Sequence, residues 1–262
     1  YRCARDMIAG GQFGKLGMIT AMNFTDFMYR PRRPEELITE QGGGVVFSQG
    51  AHQIDIVRLL GGGRVRSVRA DTGIWDTARA AEGAYAALLE FEGGAFAAAV
   101  YSGYGHFDAN EFCGWIGEMG LPADRSRYGA RRKALGSLTA AQEAALKAAQ
   151  NYGGAEYKPA PSDAARLHQH FGVLLASCAC ADLRPTPEGV MVYGDFEQRL
   201  HRIAVPAVPR AEVIDELYDA VVTGRPPLHT GRWAMATLEV CLAILRSAKE
   251  RREVSLEHQI GL

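Results

Sequence analysis

Residues 42–62 read GGGVVFSQGAHQIDIVRLLGG, an apolar helical pattern with glycines at both ends. Glycine ends a helix at low cost because it tolerates positive φ, so this stretch predicts one helix between two glycine clusters. At about 100° per residue, Ser48, His52, Asp55 and Leu59 lie within about 60° of one another. The rest of the circumference is mostly apolar, so we expect a helix embedded in protein that carries one polar stripe.

The polar stripe has two interpretations. An unpaired buried polar group costs about 1 to 3 kcal/mol, so these side chains must find partners or face a cleft. A histidine suits a cleft, because an imidazole with its ordinary pKa of about 6.5 takes and gives a proton near neutral pH. In the other interpretation, His52 bonds Asp55 or Ser48 and serves only the fold. The spacing alone leaves both open.

Outward from this helix, the chain alternates between strands and separate helices. The patterns predict further helices over 2–8, 212–222 and 233–251. They predict strands over 16–27, 65–72, 84–91, 95–101, 171–178, 190–193 and 199–205. Residues 122–161 contain an alanine-rich helix with a weak apolar stripe and are predicted to be a surface excursion. Strands without a regular βαβ alternation favour an α+β fold on one mostly antiparallel open sheet with flanking helices.

The composition excludes several classes of protein. Twenty-nine basic against 30 acidic residues leave no net field for a polyanion, so we expect no nucleic-acid partner. No apolar run approaches the roughly 20 residues of a membrane-spanning helix, and the first residues lack a signal-peptide core, so we expect no membrane partner and a cytoplasmic location. Cys178 and Cys180, like His168 and His170, lack further ligands at motif spacing, so we expect no metal site.

Three arginines crowd one short loop. Arg30, Arg32 and Arg33 stand in YRPRRPEEL, residues 29–37, where two prolines forbid regular structure. Guanidinium groups match carboxylates with two parallel hydrogen bonds, which makes this loop a candidate anion site. In the alternative, the arginines are ordinary surface charges that pair with Glu35 and Glu36.

A second polar segment follows the strand predicted at 95–101. YSGYGHFDANEF, residues 101–112, places His106 among acidic and aromatic residues, and loops at strand ends often build sites. We therefore include His106 among the candidate substrate contacts. A polar turn without a ligand is the alternative.

The 42–62 stretch resembles the signature helix of the Gfo/Idh/MocA oxidoreductases. There a glycine-led helix carries an acidic residue, a histidine four positions on and an aspartate three later. The resemblance puts the catalytic histidine on His52, the aspartate on Asp55 and the acidic position on Ser48, which cannot hold a negative charge against an imidazolium. Residues 5–20 and 216–254 resemble the family's domain junction and its two closing helices.

The resemblance implies a C-terminal domain whose partner is missing. In the family, an N-terminal Rossmann domain binds NAD or NADP and supplies a lysine. This chain has no GxGxxG turn after a strand, so we expect that domain to be absent, the cofactor to be bound mainly by it, and the chain alone to be inactive. Residues 1–13 then form a terminal helix or linker from the missing domain, and residues 14–262 the substrate-binding domain. An open sheet face suggests a homo-oligomer.

The substrate is suggested by residues 26–37 followed by 42–63. Together they most resemble 4,5-dihydroxyphthalate dehydrogenases, which oxidise a cis-dihydrodiol of phthalate to the catechol. An aromatic dicarboxylate would suit the three arginines. Two other functions stay open: a sugar or polyol dehydrogenase of the same family, and a binding or oligomerisation module that does no chemistry.

Overall fold

One mixed sheet organises the chain. The computed structural model describes residues 1–159, 166–208 and 210–262. Within them, nine strands lie in the order β8-β7-β6-β5-β1-β4-β3-β2-β9. The strands are β1 Leu16–Phe24, β2 Val65–Gly73, β3 Ala84–Phe91, β4 Phe96–Ser102, β5 Val173–Cys178, β6 Ala181–Thr186, β7 Gly189–Gly194, β8 Gln198–Arg202 and β9 Val254–Ser255. Only β1 and β4 pair in parallel among these strands, so the predicted α+β fold with a mostly antiparallel sheet is confirmed.

Six α-helices accompany the sheet within the described residues. They are α1 Arg2–Ala9, α2 Ala51–Leu60, α3 Ala130–Leu135, α4 Ala140–Gln150, α5 Ala211–Tyr218 and α6 Gly231–Glu250. The predicted N-cap Thr230 is confirmed, because its hydroxyl accepts the backbone N–H of Trp233 at 3.1 Å. The helix predicted at 212–222 is α5 followed by a π-helical turn, Asp219–Thr223.

The core lies between the sheet and the helices α2 and α6. Ile54 and Val57 of α2 and Ile244 of α6 are fully buried there. The strands beneath carry small side chains at their centre, including Ala97 and Ala99 of β4. Small residues let the helices approach the sheet closely, so the position of α2 over β1 and β4 is fixed by packing.

Three strand predictions were wrong at their ends, and two strands, β6 and the two-residue β9, were missed. The first strand stops at Phe24, because Phe27–Tyr29 forms a 3-10 turn. The last predicted strand is Gln198–Arg202, and the one predicted from residue 171 begins at Val173. The missed strand β6 contains Pro185, which is tolerated because β5 pairs with β6 only at Leu183 and Asp182.

The predicted excursion carries α3 and α4. Neither helix contains a buried residue, which agrees with the weak apolar stripe. Residues 160 and 161 of the predicted range lie outside the described residues. The excursion packs beside the loop that carries the three arginines, through contacts considered below.

Candidate active site

The helix predicted over 45–60 is not regular. Val46–Gly50 forms a π-helical turn, and α2 begins at Ala51. A π-helical turn holds more residues than an α-helical one, so the angle predicted between Ser48 and His52 does not apply. The Ser48 hydroxyl donates to the carbonyl of Gly44, which commits its proton to the backbone. Such turns are often found at functional sites.

A residue distant in sequence caps this turn. The buried carboxylate of Glu82 accepts the backbone N–H of Val46 at 3.2 Å and the hydroxyl of Thr39 at 2.5 Å. Burial raises the pKa of Glu82, against these hydrogen bonds, which lower it. Gly44 has φ +84°, and a Cβ there would lie 2.1 Å from Glu82 Oε1. The glycine is therefore required both by its backbone conformation and by the approach of the cap.

His52 lies in the first turn of α2 with its side chain exposed. The centroid of its ring lies 5.7 Å from that of Phe171. A cavity of about 280 Å³ opens beside it, lined also by Asp55, His229 and Trp233. The imidazole therefore faces a hollow and not the interior, which is the geometry an acid/base group needs.

Asp55 joins α2 to α6. Its Oδ1 accepts the indole N–H of Trp233 at 2.5 Å and the hydroxyl of Thr237 at 3.1 Å. Its Oδ2 lies 3.8 Å from Nε2 of His229. The two polar residues considered as partners of His52 are thus bonded elsewhere, Asp55 to α6 and Ser48 to the backbone.

A row of charges continues from Asp55 toward the first helix. Nδ1 of His229 lies 3.1 Å from Glu216 Oε1, which also accepts the His229 backbone N–H at 2.9 Å. Arg2 of α1 pairs with the other oxygen of Glu216. Burial works to raise the pKa of Glu216, but the bonds from His229 and Arg2 outweigh it and hold that pKa below its ordinary value.

Two buried glutamines tie the start of α2 to the sheet. Gln53 accepts from the Tyr85 hydroxyl at 2.7 Å, and Gln49 accepts from the Tyr101 hydroxyl at 3.4 Å. The Tyr101 hydroxyl also lies 2.8 Å from that of Thr25, at the end of β1. These bonds fix the rotation of the helix over the sheet, and with it the direction of the His52 side chain.

Tyr101 connects the His52 region to the arginine-bearing loop. Its ring lies 6.0 Å from that of Phe171, the residue against which His52 packs. Burial raises the pKa of Tyr101, while the nearby charges of Arg30 and Arg32 act to lower it. The Thr25 hydroxyl that contacts Tyr101 also accepts the backbone N–H of Phe27 at 3.2 Å, and the Arg30 guanidinium lies over the Phe27 ring.

Two of the three arginines share the Phe27 ring, since the Arg30 guanidinium lies 5.2 Å from its centroid and that of Arg32 lies closer. The Arg32 guanidinium lies 3.6 Å from the Phe27 ring centroid and donates to the Phe27 carbonyl at 3.0 Å, and burial lowers the pKa of Arg32 to about 10. Arg33 is exposed and pairs with Glu35 at 3.2 Å. The Arg30 Nε is buried and has no hydrogen-bond partner among the described residues. Arg30 thus keeps an unused donor in a charged environment.

His106 belongs to a loop that contacts the end of β1, because the preceding Gly105 donates its backbone N–H to the Thr25 carbonyl at 2.7 Å. His106 is exposed in the loop after β4, next to Phe107, whose ring packs at 6.1 Å against that of Phe24. Its role as a substrate contact stays a prediction.

The sequence analysis did not identify several residues of this site. Trp233 and His229 contact α2 across more than 170 positions of sequence, so no local pattern could reveal them. Gln49 and Gln53 did carry a signal, because two polar residues four apart on an apolar helix face predict buried partners.

The structure also describes the residues considered as metal ligands. His168 Nε2 lies 3.0 Å from the Ile203 carbonyl, and His170 Nδ1 lies 3.6 Å from the Cys113 sulfur. Over residues 1–159, 166–208 and 210–262, no group of three or more His, Cys, Asp or Glu could hold a metal ion. No helix in the same ranges is long and apolar enough to cross a membrane.

Two solved structures that share this fold are of proteins described as dehydrogenases. A Bordetella bronchiseptica RB50 protein assigned as a dehydrogenase is 42% identical with a TM-score of 0.88, covering 97% of this chain and 66% of that one. The WlbA dehydrogenase from Bordetella pertussis, solved with NADH and UDP-GlcNAcA, shares the fold at 17% identity with a TM-score of 0.57, covering 98% of this chain and 59% of that one. The chain therefore has the fold of a domain found in these dehydrogenases.

The family follows from sequence. Residues 1–118 match the family model described as the GFO/IDH/MocA C-terminal domain. The 1-carboxy-3-chloro-3,4-dihydroxycyclohexa-1,5-diene dehydrogenase of Comamonas testosteroni is 45% identical over 247 residues, which are 94% of this chain. The chain belongs to the GFO/IDH/MocA family, and it spans 62% of the length of that curated relative.

Proposed function

We propose that this chain is the substrate-binding domain of a nicotinamide-dependent dehydrogenase of carboxylated cyclohexadiene diols, such as the cis-dihydrodiol of phthalate. The observation that carries the proposal is the exposed imidazole of His52 on an open cavity, connected through Phe171 and Tyr101 to the loop that holds the unused donor of Arg30. The Comamonas testosteroni relative, by its name, acts on a ring that bears one carboxyl and two hydroxyl groups.

The proposed activity requires a nicotinamide-binding domain joined to this chain, a combination called here the two-domain protein. The shorter length of the chain beside its relatives supports this requirement, as does the NADH bound by WlbA. Val213, Leu217 and Val221 around α5 are 59%, 65% and 75% exposed, an apolar surface suited to a docked domain. In this arrangement residues 1–13 lead from that domain into the substrate domain, 14–262.

His52 supplies the proton chemistry. A bound nicotinamide would accept hydride from the carbon that carries the reacting hydroxyl. His52 takes the proton of that hydroxyl in the same step, which leaves a ketone conjugated with the ring. The hydroxyl-bearing neighbouring carbon then loses its proton while the ketone oxygen gains one, which gives the catechol, and the gain of aromaticity drives the reaction forward. The chain itself has to orient the diol and exclude water.

Arg30 supplies the recognition. Its guanidinium can form two parallel bonds with a carboxylate, a geometry that a neutral sugar cannot use. Arg32 is bonded to the Phe27 carbonyl, so it contributes positive charge more than a free donor. A carboxylated diol bound at Arg30 would extend toward the cavity beside His52.

The assembly and location are proposed from two further observations. The sheet face away from the helices exposes Leu88 by 45% and Phe96 by 44%, and we propose that a second copy covers it. Sedimentation velocity of the chain tests that pairing. The five cysteines are free, which fits a reducing compartment such as the cytoplasm.

The test replaces His52 with Ala in the two-domain protein. We expect kcat for phthalate cis-dihydrodiol to fall by about 10² to 10⁴, the usual contribution of a general base, with NAD affinity unchanged. Stopped-flow absorbance of the reduced nicotinamide measures kcat, and calorimetry measures the affinity for NAD. Unchanged turnover would remove His52 from the mechanism. Faster turnover of sugars than of the diol in the unmutated protein would favour a sugar dehydrogenase.

A further inference from the structure

The arginine loop, residues 26–37, is held from outside by α4. Oε1 of Glu143 accepts the backbone N–H of Arg32 at 2.7 Å. The same carboxylate accepts hydrogen bonds from both terminal nitrogens of Arg79, at 2.6 and 3.1 Å. The side chains of Arg79 and Glu143 are only 7% and 12% exposed. One largely buried ion pair therefore joins the loop, α4 and the connection between β2 and β3.

A second set of contacts comes from α3. Arg131 pairs with Asp26 at the beginning of the loop. The Arg132 guanidinium lies 4.1 Å from the centroid of the Tyr29 ring, and it donates to the carbonyl of Tyr104 at 2.7 Å. Tyr29 directly precedes Arg30. The chain on both sides of Arg30 is thus fixed by the excursion, at Tyr29 by α3 and at Arg32 by α4.

These contacts hold a loop that has little structure of its own. Its regular parts are two short 3-10 turns, Phe27–Tyr29 and Pro34–Leu37. A loop of this kind would lose conformational freedom whenever it bound a ligand, and fixing it beforehand removes that cost from binding. A doubly bonded guanidinium–carboxylate pair fixes direction as well as distance.

We propose that Glu143 is a positioning residue that sets selectivity for a carboxylated substrate, by holding the arginine loop so that Arg30 meets the carboxylate. This inference rests on the proposed function and deepens it, since it assigns a role to the excursion. Glu143 acts through Arg32 and Arg79 and does not touch the reacting atoms.

The experiment compares Glu143→Gln with Glu156→Gln in the two-domain protein. Glu156 is an exposed carboxylate of the same excursion and receives the same change of charge. The substrates are the cis-dihydrodiols of phthalate and of benzene, of which only the first carries carboxylates. In Glu143→Gln we expect KM for the phthalate diol to rise about tenfold, the size of one charge-assisted hydrogen bond. We expect its kcat and the KM for the benzene diol to change by less than about twofold. Glu156→Gln should behave as the unmutated protein.

A second variant separates positioning from folding. Arg79→Met combined with Glu143→Leu removes both charges and replaces the ion pair with apolar side chains. Proteins often tolerate such a replacement of a buried ion pair. It should fold and show the same selective rise in KM. Equal losses with both diols, or unchanged KM for the phthalate diol in both variants, would overturn the inference. Arg30→Ala makes the two failures distinguishable. If it raises KM only for the phthalate diol while the Glu143 variants do not, the proposed function stands and the role of Glu143 fails. If it changes neither KM, the proposed carboxylate site itself fails.

Discussion

The two parts of the proposed site are stabilised in opposite ways. His52 stands on α2, whose Ile54, Val57 and Leu60 are buried against the sheet. Arg30 stands on a loop of short turns whose neighbouring contacts are ion pairs and hydrogen bonds to the excursion. The proposed acid/base group is therefore held by the apolar core, and the proposed recognition group is held by ion pairs and hydrogen bonds.

This difference means that the positions of His52 and of Arg30 depend on different kinds of contact. Apolar packing tolerates a small change at any one contact, because many weak contacts contribute together. We therefore expect His52 to keep its position when surface residues are substituted. The ion pair between Arg79 and Glu143, called here the clamp, depends on a few atoms. One substitution can therefore release the arginine loop and alter selectivity without disturbing the core. A substitution in the arginine loop should therefore leave the position of His52 unchanged.

The largest expected effect breaks the clamp. Arg79→Met leaves the Glu143 carboxylate buried with only the Arg32 N–H as a strong donor. Removing one partner of a buried pair typically costs about 3 to 5 kcal/mol, so we expect a loss of that order in the free energy of unfolding. Urea denaturation of the chain, followed by circular dichroism, measures it.

The control for this prediction is the double variant with Glu143→Leu. Because it removes the unpaired charge, its free energy of unfolding should return close to the unmutated value. If the double variant were as unstable as Arg79→Met alone, the clamp would contribute through packing and not through charge.

The next effect tests the other side of the comparison. Asp55→Ala removes the acceptor of Trp233 and Thr237, and a buried donor left unpaired costs about 1 to 3 kcal/mol. We expect that loss of stability by urea denaturation. Asp55→Asn keeps an oxygen for the indole N–H and should lose clearly less. Equal losses in the two variants would mean that the negative charge near His229 matters more than the hydrogen bonds.

The sequence predicted the core-built part of the molecule well. Helix α2 and its glycine ends, the N-cap Thr230 and the mostly antiparallel sheet all follow from apolar periods and turn residues. Strand β6 was missed because a proline argues strongly against a strand. Pro185 is tolerated because the pairing of β6 with β5 ends before it, and that pairing cannot be read from the local sequence. The π-helical turn before His52 was missed for the same reason, since Glu82 and the sheet tyrosines that hold it are distant in sequence.

The site was predictable only in its local parts. His52 and the cluster of arginines are visible as residues within one stretch, but the different environments of Arg30 and Arg33 depend on which side chains other segments bring near. Glu143 looked like one more charge on an exposed helix, because its partner Arg79 lies 64 positions away. Contacts of that kind leave no periodic pattern to read.

A smaller effect concerns pH. Glu216 has a lowered pKa in the folded chain, so its interactions with His229 and Arg2 stabilise the fold above the ordinary carboxyl pKa of 4.5. That contribution is lost as pH falls through the folded-state value, because protonation ends the ionic bonds. Thermal unfolding at pH 7 should therefore show Glu216→Gln less stable than the unmutated chain, with the difference shrinking below about pH 4.5. Glu212→Gln, an exposed neighbour on α5, should show no such difference; a gap that stays constant with pH would assign the loss to packing.

The smallest effect should come from Arg33, and it sharpens the contrast within the arginine loop. Its side chain is 53% exposed and paired with Glu35 and Glu36, and exposed pairs contribute about 0 to 1 kcal/mol. We expect Arg33→Ala to leave stability almost unchanged and to change KM for the phthalate diol by less than about twofold, because solvent and salt screen a charge in that position. Steady-state kinetics at low and high salt, with Arg30→Ala alongside, measures the difference. If both variants raised KM equally and salt removed the effect, the loop would attract its substrate by general positive charge, and a fixed guanidinium held by the clamp would have no part in recognition.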